Sequence, residues 1–338
     1  MSPDEPSAQY RDFQPRGLLA SAHVQSILTS GPWRRRKVRR QAADYLERGR
    51  EEIIQADDGT RLLGYRHRPP AANRRGELAI LLHGWEGSAD SNYLLSTAVA
   101  LDGAGFDTFR LNFRDHGPSH HLNVGLFHSC LLDEVLEVVG RVRRGFDEGP
   151  VFLVGFSLGG NFTLRIARNA PARGFALDRA VAVSPVIRPH HVLDALESGL
   201  SLYHHYFVYK WRRSLKVKQA LYPERYQLEE WLRLRGLREQ TDWLVEHLTE
   251  FPDLDAYLEG YSVAGDYLSG LEIPTRIITA TDDPIIPISD IRGLPRPDAL
   301  DIEILDRGGH CGFIENWRMD GWIERRLVAE LTSAHQNR

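Results

Sequence analysis

The chain carries a serine in a pattern that suits covalent catalysis. Ser157 lies in Gly155-Phe-Ser-Leu-Gly159, directly after the apolar run from Val151 to Val154. Glycine on each side leaves room for the neighbouring backbone, so a serine at a sharp strand-to-helix turn can expose its hydroxyl. The same motif occurs by chance, and a serine there could simply cap a helix, but the strand before it favours a nucleophile. Ser157 is therefore the predicted nucleophile.

A serine hydroxyl needs a base, and the base needs an acid that orients it. Asp282 and Asp283 follow the apolar run that ends at Ala280, and His310 follows the next such run. Both positions are expected at carboxyl ends of strands, where ligands bind in open α/β sheets. We predict His310 as the base. Asp283 is chosen as the orienting acid because it stands directly before a proline, as the acid does in many enzymes that this segment resembles. Asp282 is expected to shape the turn.

A tetrahedral intermediate also needs hydrogen-bond donors for its oxyanion, and backbone N–H groups commonly supply them. The predicted donors are the N–H of Leu158, which follows the nucleophile, and that of Trp85 in His83-Gly-Trp-Glu-Gly87. His83 is expected to belong to the scaffold of this turn, since His310 already supplies a base in the expected chain order.

Composition excludes several classes of protein. Of the 338 residues 42% are hydrophobic and 26% charged, which is typical of globular proteins. The 42 basic and 46 acidic residues give a net charge of -4, so no nucleic-acid partner is expected. Zinc and phosphate-loop motifs are absent, so neither metal nor cofactor is expected. The acidic start, the lack of long apolar runs and the two cysteines, Cys130 and Cys311, indicate the cytoplasm.

Apolar runs alternate with amphipathic stretches from about residue 50 onward, which predicts an α/β fold with a mostly parallel sheet. The eight predicted strands are Glu52 to Gln55, Arg61 to Arg66, Leu78 to Leu82, Phe106 to Leu111, Val151 to Val154, Ala180 to Val183, Thr275 to Ala280 and Asp301 to Leu305. The predicted helices are Ser91 to Asp102, Leu131 to Arg144, Leu158 to Arg168 and Trp317 to Thr332.

About 90 residues separate the sixth and seventh predicted strands, far more than a crossover needs. We expect residues 188–261, which are rich in tyrosine and tryptophan, to form a helical cap inserted into a core of residues 51–187 and 262–338. Residues 1–50 form an arm before the core. Its basic run, Arg34 to Arg40, could contact acidic lipid headgroups or nucleic acid, although such runs are more often solvated faces.

Several motifs together resemble the α/β-hydrolase superfamily and, within it, the YheT-like branch. They are His-Gly-Trp-Glu-Gly from 83, Gly-Phe-Ser-Leu-Gly-Gly-Asn from 155, Asp-Asp-Pro-Ile-Ile-Pro from 282 and Gly-Gly-His-Cys-Gly-Phe from 308. His23-Val-Gln-Ser26 is similar to the amino-terminal His-Leu-Gln-Thr motif of the branch, and Phe251 to Asp255 to its acidic stretch. Asn112 to Pro118 departs from the usual turn, Asn-Phe-Arg-Gly-Cys-Gly-Gly.

The resemblance implies a serine hydrolase with a Ser157, Asp283 and His310 triad that acts on esters of carboxylic acids. We therefore expect a carboxylesterase with a small ester substrate, and the aromatic cap favours an apolar acyl group. One alternative is an acyltransferase that uses the same residues with an alcohol or thiol acceptor. Another is a ligand-binding protein that keeps the fold without catalysis.

Overall fold

The computed structural model describes residues 13–336, so the acidic start of the chain, one ground for the expected cytoplasmic location, lies outside the described residues. The described residues form one eight-stranded sheet in the order β1-β2-β4-β3-β5-β6-β7-β8. Pairing is antiparallel between β1 and β2 and between β2 and β4, and parallel elsewhere, which confirms the predicted sheet. The strands are β1 Arg50–Gln55, β2 Arg61–His67, β3 Leu78–Leu82, β4 Asp107–Leu111, β5 Val151–Phe156, β6 Arg179–Val183, β7 Thr275–Ala280 and β8 Leu300–Leu305.

The helices precede, follow or connect these strands. They are α1 Ala22–Ser30, α2 Pro32–Gln41, α3 Ala43–Glu47, α4 Asn92–Gly103, α5 Leu132–Arg144, α6 Leu158–Asn169, α7 Pro189–Ser198, α8 Ser201–Leu221, α9 Leu237–Leu248, α10 Leu254–Glu259, α11 Ile288–Arg292 and α12 Trp322–Gln336. No helix among residues 13–336 is both long and apolar enough to cross a membrane.

The predicted start of the last helix at Trp317 is wrong, because α12 begins at Trp322. The Asn316 side chain accepts a hydrogen bond from the Arg318 N–H at 2.9 Å, which closes a turn. An isolated antiparallel bridge between Ile314 and Gly321 closes the loop that contains this turn, and the helix begins at the next residue.

The centre of the sheet is buried on both faces. In β3, Ile80 and Leu82 pack into one hydrophobic cluster, while Ala79 and Leu81 pack into another on the opposite face. Successive side chains of a strand point to opposite faces, so a continuous apolar run fits a strand covered by helices on both sides. The parallel strands then carry the turns that follow β3, β5, β7 and β8 to the same edge of the sheet.

The segment from 188 to 261, called the inserted segment below, lies between β6 and β7 and contains helices α7 to α10. One face of α8 is buried and includes Tyr203, Trp211, Leu215 and Lys218. Trp211 meets the fully buried Trp231 edge to face at 5.1 Å between ring centroids. The segment therefore has apolar packing of its own as well as contacts with the core.

Helices α1 to α3 belong to the amino-terminal arm, and α2 carries the basic run from Arg34 to Arg40. Several of these basic side chains form ion pairs with acidic residues of the same chain. Arg34 is buried and pairs with Glu324, and Lys37 and Arg39 pair with Asp320 and Asp90. The exposed remainder of the run is Arg35, Arg36 and Arg40. The basic charge available at this surface is therefore smaller than the sequence suggests.

Candidate active site

Ser157 stands at a sharp turn between β5 and α6. Its backbone has φ 54° and ψ −118°, which side-chain-bearing residues rarely adopt. A Cβ on Gly155 would lie 2.1 Å from the Gly159 carbonyl oxygen, and one on Gly159 would lie 2.4 Å from the His83 carbonyl oxygen. Only glycine fits at both positions, which explains the spacing of the motif. The strained turn holds Ser157 out at the edge of the sheet.

The structure brings the three predicted triad residues into one hydrogen-bonded row. His310 Nε2 lies 3.0 Å from Ser157 Oγ, and His310 Nδ1 lies 2.9 Å from Asp283 Oδ2. The other oxygen of Asp283 accepts the backbone N–H groups of Ile285 and Ile286 at 2.9 and 3.0 Å. The Asp283 side chain is fully buried. Its position is fixed from both sides, so it can orient the imidazole.

Asp282 has a different set of contacts from its neighbour. Its Oδ1 accepts the N–H of Gly309 at 2.9 Å, and its Oδ2 has no hydrogen-bond partner among the described residues. Burial raises the pKa of the Asp282 carboxyl. Asp282 therefore ties the turn after β7 to the loop that carries His310, which is the shaping role expected for it.

The electrostatics of His310 favour its protonated form. Burial alone would lower the pKa of this imidazole, but the negative charge of Asp283 and the neighbouring Cys311 outweigh burial and raise the pKa well above 6.5. An imidazole with raised basicity is a stronger acceptor for the proton of a hydroxyl at 3.0 Å.

The loop that carries His310 is strained at Cys311 and Phe313. Gly308, Gly309, Cys311 and Phe313 all have positive φ, and two of them are not glycine. Its support comes partly from the arm, because the His310 N–H donates to Ser26 Oγ at 2.8 Å. Sequence reasoning assigned Ser26 no role. The available signal was its place in the His23-Val-Gln-Ser26 motif.

The turn after β3 presents one N–H without a partner. Gly84 N–H donates to the Tyr93 hydroxyl, Glu86 N–H to His116 Nε2 and Gly87 N–H to the Gly84 carbonyl. Within residues 13–336, the Trp85 N–H has no acceptor, and neither does the Leu158 N–H. The turn lies against the serine, since a Cβ on Gly84 would be 3.1 Å from the Cβ of Ser157.

His83 is a buried part of the scaffold. The neighbouring carbonyl of Gly84 accepts from its Nδ1 at 2.7 Å, and its Nε2 accepts the Phe113 N–H at 3.2 Å. Both contacts require the neutral imidazole with its proton on Nδ1. Burial lowers the pKa of His83 to about 4, in keeping with that form. His83 thus joins two loops, and neither of its ring nitrogens contacts Ser157.

The turn from Asn112 to Pro118, whose sequence departs from the usual one of the YheT-like branch, supports the turn after β3. His116 accepts the Glu86 N–H through Nε2, and the Asn112 side-chain oxygen accepts the Ala89 N–H at 2.8 Å. Burial lowers the pKa of His116 well below 6.5, so this ring is also a neutral acceptor. The altered residues therefore still hold the loop that contains Trp85.

Helix α8 of the inserted segment covers the same turn with aromatic rings. Phe207 stacks on Trp85 with a centroid distance of 5.1 Å, and Trp211 meets Trp85 edge to face at 5.2 Å. Nearer the start of the helix, the Tyr203 hydroxyl lies 2.9 Å from His23 Nδ1 of α1. Helix α8 thus covers the turn that carries Trp85 with aromatic rings and is linked to the arm.

A buried ion pair fastens α8 to the core. The Lys218 ammonium, whose side chain is 0% exposed, donates to Asp115 Oδ1 at 2.6 Å and to the carbonyls of Asn123 and Gly125. Asp115 has φ 59°, and its other oxygen accepts the Phe127 N–H at 2.9 Å. Sequence reasoning did not predict this contact, because a single lysine in a basic helix carries no signal of burial.

Comparison with known proteins matches this arrangement to one family over most of the chain. The model of the family described as alpha/beta hydrolase fold matches residues 79–316, a range that contains Trp85, Ser157, Asp283 and His310. The chain is also similar to the protein named "Putative esterase YheT" from Escherichia coli (strain K12). The two are 27% identical over 342 residues, covering 95% of this chain and 93% of that protein.

Solved structures share the fold at lower identity. The esterase Pf2001 of Pyrococcus furiosus superposes with a TM-score of 0.56 at 14% identity, covering 86% of this chain and 93% of that one. The 2,6-dihydroxy-pseudo-oxynicotine hydrolase gives a TM-score of 0.56 at 18% identity, covering 89% and 73% of the two chains. At these identities the likeness concerns the fold alone.

Proposed function

The chain belongs to the α/β hydrolase fold family, and from this premise we propose that it is a serine hydrolase that cleaves carboxylic esters through an acyl-enzyme on Ser157. The main support for the proposal is a pair of hydrogen-bond contacts. Ser157 Oγ lies 3.0 Å from His310 Nε2, and His310 Nδ1 lies 2.9 Å from Asp283 Oδ2. The printed name of the similar protein, "Putative esterase YheT", supports the same chemistry.

In the first half of the reaction, Ser157 Oγ attacks the ester carbonyl carbon. His310 Nε2 takes the hydroxyl proton while Nδ1 stays bonded to Asp283, which stabilises the imidazolium. The C–O bond to the alcohol then breaks, and His310 gives its proton to the leaving oxygen. In the second half, water attacks the acyl-enzyme by the same steps, so the acid is released and Ser157 regains its proton.

The negative oxygen of each tetrahedral intermediate would be stabilised by the N–H groups of Trp85 and Leu158. Both groups lack an acceptor among the described residues and belong to elements that adjoin Ser157. Donors held by a rigid turn need little reorganisation when charge develops, which is why such pairs lower the barrier.

The inserted segment would act as the cap over this site and would bind the acyl group. Phe207 and Trp211 pack against Trp85, so an acyl chain beside Ser157 would meet aromatic surface from α8. Apolar walls with a few polar groups are usual for small-molecule sites and favour an apolar acyl group.

Covalent labelling with a fluorophosphonate probe tests the proposal. The wild-type protein should be labelled and should hydrolyse nitrophenyl esters, whereas Ser157→Ala should lose both labelling and turnover. A panel of esters with increasing acyl length would then show how long an acyl chain the site accepts. Folded wild-type protein that resists labelling and cleaves none of the esters would overturn the assignment.

A further inference from the structure

The loop from Gly308 to Ile314 cannot hold its conformation by local contacts alone. Cys311 and Phe313 have φ values of 53° and 48°, which residues with a Cβ avoid. Such backbone persists only where the surroundings over-determine it. His310 lies directly between Gly309 and Cys311, so the direction of its imidazole depends on the contacts that support the loop.

Helix α1 supplies two of the four side-chain acceptors that hold the loop. Four N–H groups of the loop donate to side chains outside it, those of Gly309, His310, Cys311 and Ile314. The Gly309 N–H bonds to Asp282, near the site, and the Cys311 N–H bonds to Ser184 Oγ at 3.5 Å, whereas the other two bond to consecutive residues of α1. The His310 N–H donates to Ser26 Oγ at 2.8 Å, and the Ile314 N–H donates to Gln25 Oε1 at 2.7 Å.

The side chains of Gln25 and Ser26 are themselves fixed by further hydrogen bonds. The Ser26 hydroxyl donates to the Ala22 carbonyl at 2.8 Å, which leaves its lone pairs directed toward the loop. Gln25 is 0% exposed, and its amide donates to the carbonyls of Leu19 and Ile314 at 2.7 and 2.9 Å. Gln25 therefore bonds the N–H and the C=O of the same residue, Ile314, as a neighbouring strand would.

The helix and the loop approach so closely that side chains are excluded between them. A Cβ on Gly309 would lie 2.3 Å from the Ala22 carbonyl oxygen, and one on Gly312 would lie 2.7 Å from the Gln25 Cβ. Leu19 and Leu28 pack with Ile314 and Met319 in a small separate hydrophobic cluster beside this contact. The fit is specific rather than a loose surface contact.

We propose that Gln25 and Ser26 of helix α1 are positioning residues that hold the loop carrying His310 in the conformation that aligns its imidazole between Asp283 and Ser157. This inference rests on the proposed function, because alignment matters only if His310 works as the base. It gives the arm a role in the reaction although the arm contributes no reacting group.

Ser26→Ala tests the proposal, because it leaves the His310 N–H without its acceptor and changes little volume. Ser26→Thr keeps the hydroxyl and serves as the conservative variant. Thr29→Val is the matched control, since the Thr29 hydroxyl is buried in the same helix and has no partner among the described residues. For each variant, kcat and KM for a nitrophenyl ester are measured from pH 5 to 10, together with the fluorophosphonate labelling rate.

Ser26→Ala should lower kcat and the labelling rate about tenfold, since a small misplacement of a reacting group is costly, with KM within about twofold. Its acid limb should move to lower pH, because a looser imidazole feels less of the Asp283 charge. Ser26→Thr and Thr29→Val should behave like wild type. Wild-type kinetics in Ser26→Ala, or an equal loss of activity in Thr29→Val, would overturn this inference but not the proposed function. A wild-type protein that is neither labelled nor active would overturn both.

Discussion

Asp283 determines the pH range in which His310 can accept a proton. The base must be neutral, so activity falls as pH drops through the pKa of His310. Because Asp283 and Cys311 outweigh burial and raise that pKa well above 6.5, the acid limb of kcat/KM should lie above 6.5. A pH-rate profile of the wild type measures this, and an acid limb centred below 6.5 would contradict it.

The two adjacent carboxylates should respond differently to the same substitution. Asp283→Asn replaces the oxygen that faces His310 Nδ1, and kcat should fall by about a thousandfold or more. Asp282→Asn keeps an oxygen that can accept the Gly309 N–H, so kcat should fall less than about tenfold. Steady-state kinetics of both variants would decide, and the reverse order would assign the orienting role to Asp282.

At the scale of the element, the turn between β5 and α6 depends on the absence of a side chain at Gly159. Gly159→Ala would place a methyl group 2.4 to 2.5 Å from the carbonyl oxygens of His83 and Leu82, so β3 and α6 would have to separate. We expect a loss of stability of about 2 to 4 kcal/mol and of labelling at Ser157.

The control for this prediction is Gly103→Ala. A Cβ at Gly103, the last residue of α4, meets no atom within 4 Å, and its φ is not positive. Alanine there should leave stability unchanged or raise it by about 0.5 to 1 kcal/mol. Urea unfolding compares the two variants, and equal stabilities would refute the steric argument.

Much of the element pattern could be predicted because it is local. Burial on both faces requires runs of apolar residues, and all eight strands begin and end within two residues of the predicted bounds. The start of α12 could not be predicted, since side-chain bonds of Asn316 close a turn inside a helical pattern. The partnership of Ser26 with His310 could not be predicted either, because the motif that contains Ser26 does not name its partner and a serine hydroxyl fits many surroundings.

At the scale of the whole molecule, Lys218 decides how firmly the inserted segment is fastened to the core. Lys218→Met would leave the Asp115 carboxylate buried without its cation, which costs about 3 to 5 kcal/mol in comparable cases. Guanidinium unfolding should show this loss. Lys216→Met, on an exposed position of the same helix, should change stability by less than about 0.5 kcal/mol.

A second substitution should separate the charge from the packing. Asp115→Asn removes the negative charge, keeps an acceptor for the Phe127 N–H, and tolerates the φ of 59°. Added to Lys218→Met, it should therefore restore part of the lost stability. A double variant less stable than Lys218→Met alone would show that the ion pair is not the source of the effect.

The contact between α1 and the His310 loop joins positions 284 and 289 residues apart, almost the full length of the chain. During synthesis α1 emerges from the ribosome 284 residues ahead of His310. Until the loop follows, Gln25 lacks its partner Ile314, and Leu28 lacks the cover of Ile314 and Met319. A nascent chain that ends before residue 305 should therefore resist the fluorophosphonate probe and leave this part of α1 open to chaperones.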